Sequence, residues 1–188
     1  MRRMLVLPVL ATTLACASFL ACGASRLTRS EAERDIRKDY PVVVPVPVPG
    51  SAKAVKGSPE HARLVALTEA AGKTGWFKVE RSTTGDHEQF QFKVTPSAPK
   101  SLHPTANGFQ LPAAEVEFVR AVDLATNRDG AKVTYQIRLV RPTPAFPLFQ
   151  AIHPGVRAGE TKDRHALYRR EGRNWVLQHT DEAFKKAQ

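Results

Sequence analysis

The most reactive side chains of this sequence are two cysteine thiols, Cys16 and Cys22, and both lie within the first 22 residues. Cys22 follows Ala21 at the end of an uncharged, apolar stretch. A thiol is a nucleophile, and small residues such as Ala21 are typical of the cleavage site of a signal peptidase. Because no cysteine follows, the sequence predicts neither a disulfide framework nor a thiolate metal site in the rest of the chain.

The residues around Cys22 have the layout of a secretory signal. Arg2 and Arg3 precede a stretch from Met4 to Ser25 that carries no charge. A basic start, an apolar centre and small residues at the end are typical of a signal peptide. Phe19-Leu20-Ala21-Cys22 then resembles the lipobox of bacterial lipoproteins, although that family prefers Leu at its first position and a small residue at its second.

The lipobox resemblance implies cleavage between Ala21 and Cys22 and attachment of a diacylglycerol to the Cys22 sulfur. The protein would then be exported and anchored in a membrane through the lipid on Cys22. In a Gram-negative cell this would be the outer membrane or the periplasmic face. Gly23 after the cysteine resembles lipoproteins that are sent to an outer membrane.

Other interpretations of the N-terminal stretch remain open at this point. It is long enough for an uncleaved transmembrane helix, since about 18 apolar residues suffice to span a bilayer. It could also be an ordinary signal cut after Ala17 or Ala21, or the apolar start of a cytosolic protein. Thr13-Leu14-Ala15-Cys16 is a second, poorer lipobox.

A search for catalytic and metal-binding patterns is negative. The sequence contains no G-x-S-x-G, no H-E-x-x-H and no phosphate-binding loop. Asp86-His87-Glu88 has metal-ligand residue types, but neighbouring residues in a strand or turn point to opposite sides. Glu115 and Glu117 share one face of a strand and suit ion pairs across a hairpin. We therefore assign no catalytic residue, no metal site and no cofactor.

Three residues mark a candidate ligand site. Arg120 interrupts an apolar strand face that also includes Val116, Phe118, Val122 and Leu124, and Tyr135 lies in the strand that returns beside it. His153 is the titratable residue in a long irregular stretch, residues 142–163, that is otherwise rich in apolar side chains. Long loops in small domains are usually functional or disordered, and the high apolar content of this stretch argues against disorder. This stretch could be a lid or a short helix that covers the sheet.

The charge of the chain is strongly positive, at +10 over 188 residues. Loss of Arg2 and Arg3 with the signal lowers it to +8. Such a charge attracts anionic surfaces such as phospholipid headgroups or an anionic envelope polymer, or it only solvates the surface. Two helices followed by a two-stranded wing also resemble a winged-helix DNA-binding domain. The export signal contradicts that interpretation, so we expect no nucleic acid partner.

The elements that position these residues predict an α+β fold, with an antiparallel meander sheet of about six strands packed on one or two N-terminal helices. A capping box formed by Ser30 and Glu33 begins the first helix, and Ser58-Pro59-Glu60 begins the second, with His61 exposed in its first turn. Alternating apolar residues predict hairpins over residues 76–94, 116–139 and 164–178.

The same features divide the chain into three parts. Residues 1–21 form the signal peptide, residues 22–57 form an anchor, a short helix and a tether, and residues 58–188 form one α+β domain. Within the tether, Pro41 to Gly50 carries prolines at positions 45, 47 and 49, which remove every second amide donor and exclude an internal strand. It is either a stiff spacer or an edge segment docked through its valines, and residues 51–57 continue it flexibly.

The order of elements in residues 58–180 distantly resembles the cystatin-like and NTF2-like folds. The N-terminal part is also similar to uncharacterised bacterial lipoproteins with a Ser-Glu-Ala helix soon after the lipid cysteine, here Ser30-Glu31-Ala32. We expect a lipid-anchored cell-envelope protein whose domain binds a partner protein or polymer without catalysis. The alternative is a cone-shaped, NTF2-like domain that binds or hydrolyses a small ligand.

Overall fold

The computed structural model of the protein describes residues 26–181. Ala21 and Cys22, and with them the predicted cleavage and lipidation, lie outside the described residues. Within residues 26–181, the elements in chain order are α1 (Arg29–Arg37), β1 (Val42–Pro49), β2 (Ser51–Val55), α2 (Pro59–Thr74), β3 (Phe77–Thr84), β4 (His87–Val94), β5 (His103–Thr105), β6 (Gly108–Thr126), β7 (Gly130–Val140), α3 (Phe146–Ile152), β8 (Thr161–Glu171) and β9 (Asn174–Thr180).

The strands form two antiparallel sheets. The larger has six strands in the order β1-β6-β7-β8-β9, with β5 added to the start of β6. The smaller has the order β2-β4-β3. The α+β class is therefore confirmed, but the single sheet expected from the sequence is replaced by two. The predicted hairpins are present as β3–β4, β6–β7 and β8–β9.

Each sheet has its own helix, and the core below α2 also includes residues of the larger sheet, such as Val46 of β1 and Leu111 of β6. Helix α1 buries Ala32 and Ile36 against the larger sheet, where the core includes Val133 and Tyr135. Helix α2 buries a stripe that packs on the smaller sheet, formed by Leu64, Leu67, Ala70 and Ala71. A third helix, α3, follows β7 and precedes β8 in the chain, so the helices are not confined to the N-terminal part.

The start of α1 differs from the sequence prediction by two residues. Thr28 is the N-cap, its hydroxyl accepts the Glu31 amide at 3.2 Å, and the Glu31 carboxylate accepts the Thr28 amide at 2.9 Å. The predicted box of Ser30 and Glu33 is wrong because both of these residues lie inside the helix. Glu33 instead accepts a hydrogen bond from the backbone amide of Ala121 in β6, at 2.8 Å.

The proline- and valine-rich segment is strand β1, at one edge of the larger sheet. Its valines are buried at alternate positions, except for the outward Val43, and β1 pairs with β6 from Val42↔Val116 to Pro49↔Gly108. The structure therefore favours docking over a free spacer. The prediction that residues 51–57 are flexible is wrong, because β2 pairs with β4 there.

Strand β6 changes its inward face along its 19 residues. The register shifts between Phe118 and Arg120, and again between Ala121 and Asp123. Each bulge adds one residue and reverses the alternation of side chains. Ala121 is therefore buried and Arg120 is exposed, which contradicts the prediction that Arg120 lies on the apolar face.

Residues 96–112 contain β5 and the beginning of β6. Gly108 connects them with φ +151°, and a Cβ at this position would collide with the Val48 carbonyl oxygen of β1. Only glycine permits this close approach of two strands. Among residues 26–181, no helix is both long and apolar enough to cross a membrane.

Candidate functional site

An apolar cleft lies between α3 and the inward face of the larger sheet. We call it the α3 cleft, and its volume is about 250 Å³. Strands β1, β6 and β7 form its floor with Val44, Val116, Ile137 and Leu139. Helix α3 and the loop after it supply Phe149, His153 and Val156, and β8 and the residue before it supply Glu160, Lys162 and Arg164.

Helix α3 is held over the sheet by buried side chains and by one hydroxyl. Leu148 is fully buried and Phe146 nearly so. The Thr143 hydroxyl donates to the Pro112 carbonyl at 2.7 Å and accepts the amide of Ala145, which precedes the helix, at 3.1 Å. These contacts connect the start of α3 to β6 and fix one wall of the cleft.

The loop after α3 is fixed by hydrogen bonds on both sides. The Gln150 side chain donates to the Val156 carbonyl at 2.9 Å, and the Gly159 amide donates to the Leu139 carbonyl of β7 at 2.7 Å. The Glu160 carboxylate accepts the Arg157 amide at 3.1 Å. The second wall is therefore also preformed. A preformed site binds more tightly because its residues lose less freedom on binding.

The rim of the cleft carries more positive than negative charge. Lys162 and Arg164 occupy the same face of β8 as the buried Ala166 and Tyr168, so they lie beside the apolar floor. The Lys162 ammonium is 3.7 Å from the Glu160 carboxylate. Two cations and one carboxylate at the edge of an apolar floor can bind an apolar group with an anionic group next to it.

His153 is the one residue of the predicted trio that lines the cleft. Its ring centroid is 4.6 Å from that of Phe149, and the side chain is exposed at the rim. Tyr135 is completely buried, its hydroxyl is 3.3 Å from that of Tyr40, and its ring stacks on Phe118. Arg120 lies on the outer face, where its Nε donates to Gln136 at 3.2 Å. The structure therefore does not bring the three residues together.

A buried polar cluster connects α2 with the smaller sheet. The Glu88 carboxylate of β4 lies 2.7 Å from His61 Nε2 of α2 and accepts the Arg81 Nε–H of β3 at 2.7 Å. The bonds from Arg81 and then His61 hold the pKa of Glu88 at about 2. His61 is thus half-buried and not an exposed residue of the first turn, as the sequence predicted.

The other acidic residues discussed above also have partners. Arg141 contacts Glu115 at 2.7 Å and Glu117 at 3.1 Å, which confirms the expected ion pairs. His87 Nδ1 lies 2.6 Å from the carboxylate of its neighbour Asp86, whereas the Glu88 carboxylate contacts His61 and Arg81. In residues 26–181 there is no group of three or more His, Cys, Asp or Glu side chains that could hold a metal ion.

Sequence reasoning missed the two cations at the rim. Residues up to Asp163 were assigned to an irregular stretch, whereas β8 begins at Thr161. The alternation of Lys162, Arg164, Ala166 and Tyr168 was the available signal, because every second residue of a strand shares one face. Because Lys162 and Arg164 are charged, the apolar alternation that indicates a strand begins only at Ala166.

Comparison with known proteins adds no family to this description. No protein family model matches the chain, no curated protein matches it, and no solved structure matches it. The resemblances to lipoproteins and to cystatin-like and NTF2-like folds therefore stay predictions.

Proposed function

We propose that the protein is exported, attached to a membrane of the cell envelope through a lipid on Cys22, and binds a partner protein through the α3 cleft without catalysis. Binding of a partner protein is supported by the preformed apolar floor of the cleft, which lies beside Lys162 and Arg164. The lipobox at Cys22 supports the attachment. The bound group would be an apolar side chain of the partner with a carboxylate next to it.

The size and character of the cleft favour a protein partner over an envelope polymer. At about 250 Å³ the cleft is smaller than the roughly 300–1,000 Å³ of typical small-molecule pockets, which suits one or two side chains of a partner. Its floor consists of aliphatic residues, which offer no hydrogen bonds to a sugar. Burial of an apolar side chain on this floor would contribute about 1.5–3 kcal/mol.

The binding part can be tested with 1-anilinonaphthalene-8-sulfonate, an apolar probe with one negative charge. We expect its fluorescence to rise on addition of the protein, because the apolar cleft excludes water from the probe. Val156→Trp should abolish the rise by filling the cleft. Val55→Trp, at an exposed position on β2, is the matched control and should leave it unchanged.

The rim charges can be tested with the same probe. Lys162→Gln and Arg164→Gln should weaken binding of the anionic probe, and an uncharged naphthylamine should bind both variants like the wild type. Thermal unfolding of each variant must match that of the wild type, since the probe also binds partly unfolded proteins. Equal binding to the Val156→Trp variant would contradict the proposed site.

Attachment to the membrane is tested by the intact mass of the N-terminus, purified from membranes. We expect a diacylglyceryl mass on Cys22, which is lost in Cys22→Ser. An unmodified Met1 or a cut elsewhere would refute the attachment while leaving the binding experiment valid.

A second candidate function, hydrolysis of a small ligand, is supported by the place of His153 at the cleft. A histidine at the rim of an apolar pocket can act as a general base. In that case His153→Gln should abolish hydrolysis of a nitrophenyl ester while the probe still binds. An ester turnover that is the same in the His153→Gln variant would leave binding as the function.

A further inference from the structure

The folded part of the chain already includes Leu27, so only a short segment could separate a lipid on Cys22 from the domain. Leu27 is 5% exposed and belongs to the core of the larger sheet. Five peptide steps lead from Cys22 to Leu27, and they span at most about 18 Å when fully extended. A lipid on Cys22 would therefore bring one particular end of the domain to the membrane surface. This inference rests on the lipid attachment proposed above.

The end in question is defined by contacts of the first described residues. Arg26 donates through Nε to the Thr126 hydroxyl, at the end of β6, at 3.1 Å. The turn between β6 and β7 is next to the turn between β8 and β9, because the Arg170 amide donates to the Asp129 carbonyl at 3.0 Å. Leu27 and Arg173 line the same surface pocket beside α1.

This end of the domain is rich in arginine. We call it the basic end: it consists of Arg26, Arg29, Arg128, Arg170 and Arg173. Arg29 begins α1, Arg128 lies in the first turn and Arg173 lies in the second. Arg170 is half-exposed and the other four are exposed.

Among the described residues, the acidic ones near this end are fewer, and most of them already have partners. Glu31 completes the capping box of α1, Asp35 is paired with Lys38, Glu171 forms an ion pair with Arg169 at 2.5 Å, and Asp129 lies in the first turn. At the opposite end of β6 and β7, by contrast, Arg141 is paired with both Glu115 and Glu117. The excess of positive charge is thus on the side where the chain enters the domain.

We propose that the basic end lies against anionic phospholipid headgroups and orients the domain on the membrane. The diacylglycerol on Cys22 would hold the chain in the bilayer, and a basic surface beside it adds attraction to anionic headgroups. Each arginine near an anionic surface contributes about a five-fold preference for it. The short connection from Cys22 places these arginines within reach of that surface. This orientation directs the smaller sheet away from the membrane.

The orientation can be measured in the membrane-attached protein after reconstitution into vesicles. The chain has no cysteine beyond Cys22, whose sulfur would be acylated, so one introduced cysteine can be labelled alone. Asn174→Cys places a fluorophore at the basic end, and Ser82→Cys places it on the smaller sheet; both positions are exposed. The quencher is a nitroxide attached to the lipid headgroup.

We expect quenching at position 174 to be stronger in vesicles that contain phosphatidylglycerol than in pure phosphatidylcholine. High salt should remove the difference, since it screens surface charges. The triple variant Arg128→Gln, Arg170→Gln, Arg173→Gln should lose the preference, by about a hundred-fold in the orientation equilibrium. The matched control Lys53→Gln, Lys56→Gln, Lys100→Gln loses the same charge at exposed positions elsewhere and should retain it.

Two outcomes would overturn the orientation. One is equal quenching at position 174 in both kinds of vesicle, and the other is stronger quenching at position 82. The intact mass of the N-terminus measures the lipid attachment separately. A chain that is acylated on Cys22 but not oriented would therefore refute the orientation and leave the lipid attachment standing. In Cys22→Ser the uncleaved apolar segment would still hold the chain, and with Cys16→Ser added the same labels would test the basic end without the lipid.

Discussion

At the scale of single residues, Glu33 has an unusual role for a helix side chain. It lies in the middle of α1 and accepts the Ala121 amide, which the bulge in β6 turns away from the neighbouring strand. A hydrogen bond to a charged group contributes about 1.5–3 kcal/mol. Glu33→Ala should therefore lower the free energy of unfolding by about 2 kcal/mol in urea titrations.

The control for this prediction is Glu60→Ala in the first turn of α2. The Glu60 carboxylate is exposed, and its ion pair with Arg63 is long at 3.6 Å. We expect a change below about 0.5 kcal/mol for such an exposed pair. Equal effects of the two substitutions would show that the contact with Ala121 does not stabilise the fold.

Glu88 predicts a pH dependence of stability. Its pKa is about 2 in the folded protein, because Arg81 and His61 donate hydrogen bonds to the carboxylate, whereas the ordinary pKa of a glutamate is 4.5. A lowered pKa stabilises the folded state above the unfolded pKa, and this contribution is lost as the pH falls from about 4.5 to about 2.

Glu88→Gln should thus lower the urea midpoint at pH 7, and the difference from the wild type should shrink below pH 4.5. Urea titrations at several pH values between 2.5 and 7 would measure this, with Glu60→Gln as the control. A difference that is constant across this range would exclude a role for the charge of Glu88.

At the scale of elements, β1 offers a test of its own packing. Val46 is completely buried and Val43 is 52% exposed, and both lie in the same strand. Val46→Ala should cost about 2 kcal/mol of unfolding free energy, because it removes two buried methyl groups. Val43→Ala should cost less than about 0.5 kcal/mol, as is usual for exposed sites. Equal, small effects would mean that residues 42–49 act as a tether.

The elements also show how far the sequence could predict the fold and the cleft. Alternating apolar residues were enough for the three hairpins, and Ser58 and Pro59 were enough for the start of α2. The bulges in β6 depend on tertiary contacts such as that of Glu33, so the outward position of Arg120 was not accessible. The α3 cleft requires residues from β1, β7, α3 and β8 together, and no local pattern specifies that arrangement.

At the scale of the whole molecule, α3 connects the two cores. Leu148 belongs to the core below α2, Phe146 belongs to a small cluster with Leu139, and Phe149 packs against both of these and against the core below α1. The larger sheet also contributes residues such as Val46 and Leu111 to the core below α2. We therefore expect the two sheets to unfold together.

The two tryptophans can report on the two cores separately. Trp76 packs against the core below α2 and Trp175 against the core below α1. In Trp76→Phe and Trp175→Phe, the remaining tryptophan should show a urea transition at the same midpoint after correction for stability. Leu148→Ala should lower both transitions equally, by about 3 kcal/mol. Separate midpoints would reveal two units that unfold independently.

The prolines of β1 have a consequence for how copies of this protein meet one another. Pro45, Pro47 and Pro49 occupy every second position of β1, while the valines between them face the core. Proline has no amide proton, so this side of β1 presents carbonyl groups without the donors that a further strand would need. Crowding many copies on a small area favours pairing of sheet edges and growth of fibrils. The prolines of β1 therefore prevent a strand of another copy from pairing with this edge of the sheet.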